Sequence, residues 1–158
     1  MNAKLSNRLL FILSFIGIAV ALHLTLADLN YVDMGCGPSN GCEQVAAQPT
    51  AHGFGIPFLA KIPTAAFGAA LYAVLALTGF LRATKFGEVK GALLRRLQWV
   101  LLLGGLGVSA WLTYLEGFVI HAWCRYCVAS AIILLVMFAI SSVERHNIMH
   151  ITSMESGN

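Results

Sequence analysis

The chain has 158 residues, of which 58% are hydrophobic and only 11% charged, against roughly a quarter charged in an ordinary soluble domain. Mean hydropathy is +0.77 and the formal net charge +3. These values argue against a soluble enzyme, a disordered tail and a nucleic-acid binder, whose footprint needs concentrated basic charge; the length suits one domain.

Four windows are apolar enough to cross a hydrocarbon core, which takes about 20 helical residues. In chain order they cover about 9–27, 64–81, 97–114 and 123–143. They are continuously apolar rather than alternating, so they predict helices and not barrel strands. The first carries His23 in its interior. It also has Lys4 and Arg8 ahead of the apolar run, as a signal peptide would, but no small-x-small cleavage site follows. Trp99, Trp111 and Tyr114 lie near the ends of the third window, as expected of an aromatic belt. Ala65 and Ala69, Ala66 and Ala70, and the group Gly104, Gly105 and Gly107 predict close helix–helix approach.

Orientation follows from Lys and Arg in short connections. Eight of the ten (Lys4, Arg8, Arg82, Lys85, Lys90, Arg95, Arg96 and Arg145) fall on one side, with only Lys61 and Arg125 on the other. The expectation is an all-α four-helix bundle with both termini, a loop over 82–96 and a tail over 146–158 in the cytoplasm. The 28–63 loop and the 115–123 turn then lie outside, which in a bacterium is the periplasm.

All four cysteines fall on that outer, oxidising side. Cys124-Arg125-Tyr126-Cys127 is a CxxC opening the fourth helix. A helix amino terminus and an adjacent arginine both favour a thiolate. The pair reads as redox-active, with a four-cysteine zinc site or a static bridge as alternatives. Cys36 and Cys42 lie in a glycine-rich stretch whose five intervening residues allow a disulfide. A mobile pair over a fixed pair is what an electron relay needs, whereas two unrelated structural bridges would be the plainer use. The 36-residue outer loop is too long for a passive connector. Its patch Phe54-Gly55-Ile56-Pro57-Phe58-Leu59-Ala60 predicts a cap lying against the bundle or the interface. Pro49, Pro57 and Pro63 interrupt any long helix there.

The remaining polar residues are weaker signals. His23 is an intramembrane candidate by position, or it reaches the interface. His121, three residues before the CxxC, is a candidate to tune Cys124. Asp28, Asp33, Glu43 and Glu116 read as solvated outer-face groups, one of which assists proton transfer. His146 and His150 suggest nothing specific.

The cysteine order, the stretch Gly53-Phe54-Gly55-Ile56-Pro57, Phe67-Gly68 and the CxxC at 124–127 together resemble the vitamin K epoxide reductase family, in its bacterial disulfide-forming branch, over roughly residues 8–145. The resemblance implies a four-helix bundle around a ubiquinone- or menaquinone-type quinone, capped by the outer loop. It implies that a soluble thioredoxin-fold partner gives electrons to Cys36. Cys42 then exchanges with Cys124, and Cys127, the more buried sulfur, faces the quinone. Thr64 and Phe67 fall at the implied quinone pocket. Ala131 stands where the animal enzymes have Tyr, which removes a hydrogen-bond donor and weakens the case for epoxide chemistry. Gln48 replaces a Ser or Thr common among relatives. With the chain ending about 15 residues past the fourth window, a separate DsbA-like protein is the expected partner. Such a dithiol has a potential near roughly −120 mV, and each 30 mV of shortfall in its oxidant costs about 1.4 kcal/mol. A quinone meets that demand, whereas glutathione and nicotinamide chemistry do not. The reading is therefore a thiol–quinone oxidoreductase of the membrane. A vitamin K epoxide reductase proper, DsbB (whose CxxC lies in the first outer loop, the opposite order) and a four-helix transporter with static disulfides are the rivals.

Overall fold

The computed structural model describes residues 3–33, 35, 41–59 and 61–155; side chains of residues 3, 85–89 and 148–155 lie outside that description. Helix α1 spans Ala3–Asp28 and short α2 spans Gly41–Ala46. Three single 3-10 turns follow at Pro49–Ala51, Gly53–Gly55 and Pro57–Leu59. Then come α3 (Thr64–Ala83), α4 (Lys85–Tyr114), a π-helical turn (Leu115–Ile120) and α5 (Arg125–Glu155). No strand occurs among the described residues.

Four stretches are long and apolar enough to cross a membrane: Lys4–Asp28, Thr64–Ala83, Lys90–Ile120 and Arg125–Asn147. The shortest, at 20 residues, is about 30 Å long. Large side chains such as Ile12, Phe15, Leu77, Leu135 and Val143 are outward-facing and exposed. A surface this apolar would be an aggregation hazard in water and is the natural face of a bundle dissolved in lipid. The protein is an all-α membrane bundle.

The helices close a ring in which α1 packs on α3, α3 on α4, α4 on α5 and α5 back on α1. The core between them is Leu10, Ala21, Tyr72, Leu75, Leu102, Leu134 and Met137. Close approach is set at one of the expected glycines, Gly105, and at Gly17, which is not among them. A Cβ at Gly17 would lie 2.3 Å from the Tyr72 ring, and one at Gly105 would lie 2.6 Å from Leu71. At Gly104 and Gly107 a Cβ would meet nothing within 4 Å, so these two do not seat a neighbouring helix.

The helices run beyond the apolar windows. The expected 82–96 loop is mostly helix: only Thr84, in extended backbone, separates α3 from α4, and a kink at Lys90 takes up the change of direction. Charged and small residues there are adequate helix formers, so the end of apolarity does not end the helix. The same holds for the expected tail, since α5 continues to Glu155. At this end, Arg82 forms a buried ion pair with Glu144 and donates a hydrogen bond to Gln98 Oε1 at 2.6 Å. That contact ties α3, α4 and α5 together.

At the other end the long loop folds down as a cap. His52 and Pro63 form an isolated antiparallel bridge, and the Gly53 N–H donates to Ile62 O at 2.9 Å. Gly53 is at φ +55, where a Cβ would strike Leu59 O at 2.3 Å. Of the apolar patch, Phe54 packs on Phe67 with ring centroids 5.4 Å apart. Phe58 instead is 92% exposed, turned away from the bundle.

Candidate functional site

Beneath the cap lies a cavity of about 430 Å³ between the four long helices. Its wall is largely apolar, with contributions from Val20, Leu24, Leu71, Val108 and Leu134. The polar groups on it are a minority: Asp28, Thr50, Thr64, Tyr72, Ser109, Thr113, Glu116, Tyr126, Ser130 and three cysteines, Cys42, Cys124 and Cys127.

The cysteines meet through a close backbone contact. Gly41 opens α2 and is buried, and a Cβ there would stand 2.4 Å from the Trp123 carbonyl oxygen. Only glycine allows this approach. The next residue, Cys42, is 2% exposed and shares one buried cluster with Cys124, which is 1% exposed. Leu24, Val45, Tyr126 and Cys127 pack around that cluster. Cys42 is disulfide-bonded, whereas Cys124 and Cys127 are free thiols.

Cys124 immediately precedes α5, and its thiol is held below the ordinary cysteine range. The hydrogen bond from the Cys127 thiol is the main cause, aided by the N–H groups of Cys127 and Tyr126; burial and the Glu116 carboxyl group oppose it. The helix amino terminus acts as expected, but the partner thiol contributes most. Glu116 enters from the π-helical turn and is 2% exposed. Its Oε2 accepts the Cys124 backbone N–H at 3.1 Å, and its carboxyl group also meets the Cys127 thiol. Its Oε1 is buried and has no hydrogen-bond donor among the described residues.

Thr64 fastens the cap. Its hydroxyl donates to Thr50 O at 2.8 Å and accepts the Phe54 N–H at 3.2 Å. On the other side of the cap, His52 Nε2 stands 3.3 Å from Asp28 Oδ2. Tyr72 crosses the cavity floor, its hydroxyl 2.9 Å from Ser130 Oγ and 3.1 Å from the Ser130 carbonyl oxygen.

The model of the vitamin K epoxide reductase family matches residues 8–142. The chain belongs to that family. No curated protein matches it. Members of the vitamin K epoxide reductase family are membrane thiol oxidoreductases that use quinones, so this chain is an integral membrane oxidoreductase of that general kind. A quinone fits the cavity by composition, since the wall is apolar for a ring and tail and carries a few polar groups for the ring oxygens.

Set against this family, the expected site residues divide. Cys42, Cys124, Cys127, Thr64 and Phe67 all line the cavity. Ala131 is half-buried and is not among the lining residues, where the neighbouring turns place Cys127, Ser130 and Leu134 instead. Cys36 lies outside the described residues. Cys124 is covered by Cys42 and Cys127 is half-buried, and both line the cavity. Thr64 has its hydroxyl engaged in the cap, and the Tyr72–Ser130 pair supplies a further polar contact on the floor. Gln48 starts the first 3-10 turn through its carbonyl oxygen, which accepts the Ala51 N–H, and makes no side-chain cap. His23 stacks against Tyr126 with ring centroids 5.0 Å apart, and its Nε2 is buried without a hydrogen-bond partner among the described residues. His121 is exposed, with Nδ1 3.1 Å from Gly117 O. It is Glu116, expected to be solvated, that meets the CxxC, because the π-helical turn swings it inward. Asp28 likewise faces the cavity and His52 instead of open water, whereas Asp33 and Glu43 are exposed as expected.

Proposed function

We propose that this protein reoxidises a DsbA-like thioredoxin-fold partner and passes the electrons to a membrane quinone, with its cysteines on the periplasmic side of a bacterial inner membrane and both termini in the cytoplasm. The observation that carries this reading is the burial of a disulfide-bonded Cys42 directly against the free thiol of Cys124, beside a Cys127 that opens on an apolar cavity.

In this reading the partner's thiolate attacks the loop disulfide at Cys36, and the partner leaves oxidised. The Cys42 thiolate then attacks Cys124 in the oxidised CxxC, breaking the Cys124–Cys127 bond and forming a Cys42–Cys124 mixed disulfide. Cys36 attacks Cys42 and restores the loop disulfide, leaving the CxxC as dithiol. A disulfide at Cys42 above free Cys124 and Cys127 thiols corresponds to the point of this cycle just before an acceptor is reduced. A bound quinone supplies the two-electron acceptor. The apolar wall and Cys127 would hold it, the cap would exclude water, and Cys124 is kept acidic so that the new disulfide can close.

The test is quinone-dependent oxidation of a reduced DsbA-like protein by the purified protein in lipid. Cys124→Ala and Cys127→Ala should each abolish it; normal turnover in either variant would rule the relay out. Cys124→Ala should also let a mixed disulfide between Cys36 and the partner accumulate, and trapping of the partner on Cys42 instead would overturn the assignment of Cys36.

A further inference from the structure

We propose that Glu116 is the proton acceptor of the quinone-reducing step, taking the Cys127 proton on its carboxylate and passing it into the cavity. The inference rests on the proposed function and adds a residue to it.

Three observations meet at this side chain. Glu116 is 2% exposed, yet it lies on the cavity wall with the CxxC. One oxygen is fixed by the Cys124 N–H at 3.1 Å, which sets the rotation of the carboxyl group. The other, Oε1, is buried with no donor among the described residues, and the group meets the Cys127 thiol. A buried acceptor left without a donor is costly, so a carboxyl group that keeps one such oxygen and meets a thiol that must lose its proton is placed for use. Of the two histidines near the CxxC, His121 is turned to its own Gly117 carbonyl and His23 stacks on Tyr126.

The step balances. Closing the Cys124–Cys127 disulfide breaks two S–H bonds, makes one S–S bond and yields two electrons and two protons. Both electrons go to the quinone. The Cys124 proton leaves to water on ionisation, and an equivalent proton returns from water to the quinol. The Cys127 proton moves from Sγ to the Glu116 carboxylate and from there to a ring oxygen of the acceptor, leaving the carboxyl group as it began. The titratable and charged groups on the elements packed around Glu116 are Cys124 just before α5, Arg125, Tyr126 and Cys127 of α5, the exposed Glu43 of α2, Tyr72 of α3, and on α1 His23, which stacks on Tyr126, and Asp28, which is paired with His52. None of these except the CxxC is hydrogen-bonded to it.

The experiment follows quinol formation from the pre-reduced full-length protein in nanodiscs, with a short-chain benzoquinone, across pH. Glu116→Gln keeps an oxygen for the Cys124 N–H but no longer takes a proton. Its rate should fall about a hundredfold at neutral pH and recover as pH rises, while Glu116→Asp keeps the wild-type profile at a lower rate. An unchanged rate, or a lower rate with an unchanged pH profile, overturns the inference. Infrared difference spectra of the wild type serve should Glu116→Gln fail to fold. A protonated carboxyl band that rises and decays during quinol formation supports the step, and a flat carboxyl region overturns it. Failure of the wild type to reduce quinone overturns the proposed function as well, whereas wild-type turnover matched by Glu116→Gln overturns this inference alone.

Discussion

Gly41 and Trp123 are in backbone contact, with room for a hydrogen but not a methyl group between the Gly41 Cα and the Trp123 carbonyl oxygen. This contact seats α2 on the entry to α5 and so presses Cys42 onto Cys124. Gly41→Ala should push the two apart. Thiol–disulfide exchange between the loop and the CxxC is expected to slow by at least about tenfold, because small misplacements at a reacting pair are expensive. Quinone reduction by a CxxC reduced directly with a small dithiol should be unchanged. Equal loss in both half-reactions would mean that Gly41 supports the fold generally and does not position the pair.

Cys124 owes its enhanced acidity first to the Cys127 thiol. A depressed thiol stays ionised as pH falls below the normal cysteine range, so Cys124 in the wild type should react with an alkylating reagent at lower pH than a model thiol. In Cys127→Ala the titration of that reaction should move to higher pH, with less Cys124 thiolate at neutral pH. An unmoved profile would assign the depression to the helix end instead.

Thr64 holds the cap at two points, Thr50 and Phe54, through one hydroxyl. Thr64→Val conserves shape but leaves the Phe54 N–H and Thr50 carbonyl without this partner. A loss of about 1–2 kcal/mol is expected, together with a weaker apparent affinity for quinone and faster alkylation of Cys127. Thermal unfolding in detergent and quinone titration would check these; a looser cap with unaltered quinone affinity would separate the cap from the cavity.

Arg82 and Glu144 have side chains only 7% and 4% exposed. Removing one partner strands a buried charge, so Arg82→Ala or Glu144→Ala should cost about 3 kcal/mol. The apolar double replacement Arg82→Met with Glu144→Leu should recover most of it. Single and double variants compared by unfolding in the same detergent would decide this, and a double variant no better than either single would contradict it.

The four spans were legible because lipid demands long apolar stretches, and nothing else in a 58% hydrophobic chain makes them. Their ends were not, since helical backbone continues through Lys85–Leu97 where hydropathy stops informing. That Cys42 and the CxxC lie at the same end of the bundle agrees with the charge distribution. That Cys42 lies on Cys124 could not be read there, because it depends on how closely Gly41 approaches a carbonyl in a helix start far along the chain. Glu116 was the clearest miss. A carboxylate at the end of an apolar window looks like a group emerging into water, and a π-helical turn has no compositional signature that would turn it inward.

That turn makes the distance along the chain from Tyr114 to Cys124 a ruler. The π-helical hydrogen bonding of Leu115–Ile120 accommodates a residue that regular α-helix would not. The left-handed His121 at φ 55 then reverses the chain into the CxxC. Removing one residue from this stretch would rotate α4 by about 100° relative to the entry of α5, so Glu116 and the CxxC could no longer face the cavity together. Substitution within 117–120 should therefore be far better tolerated than a single deletion, and insertions belong in the cap rather than here.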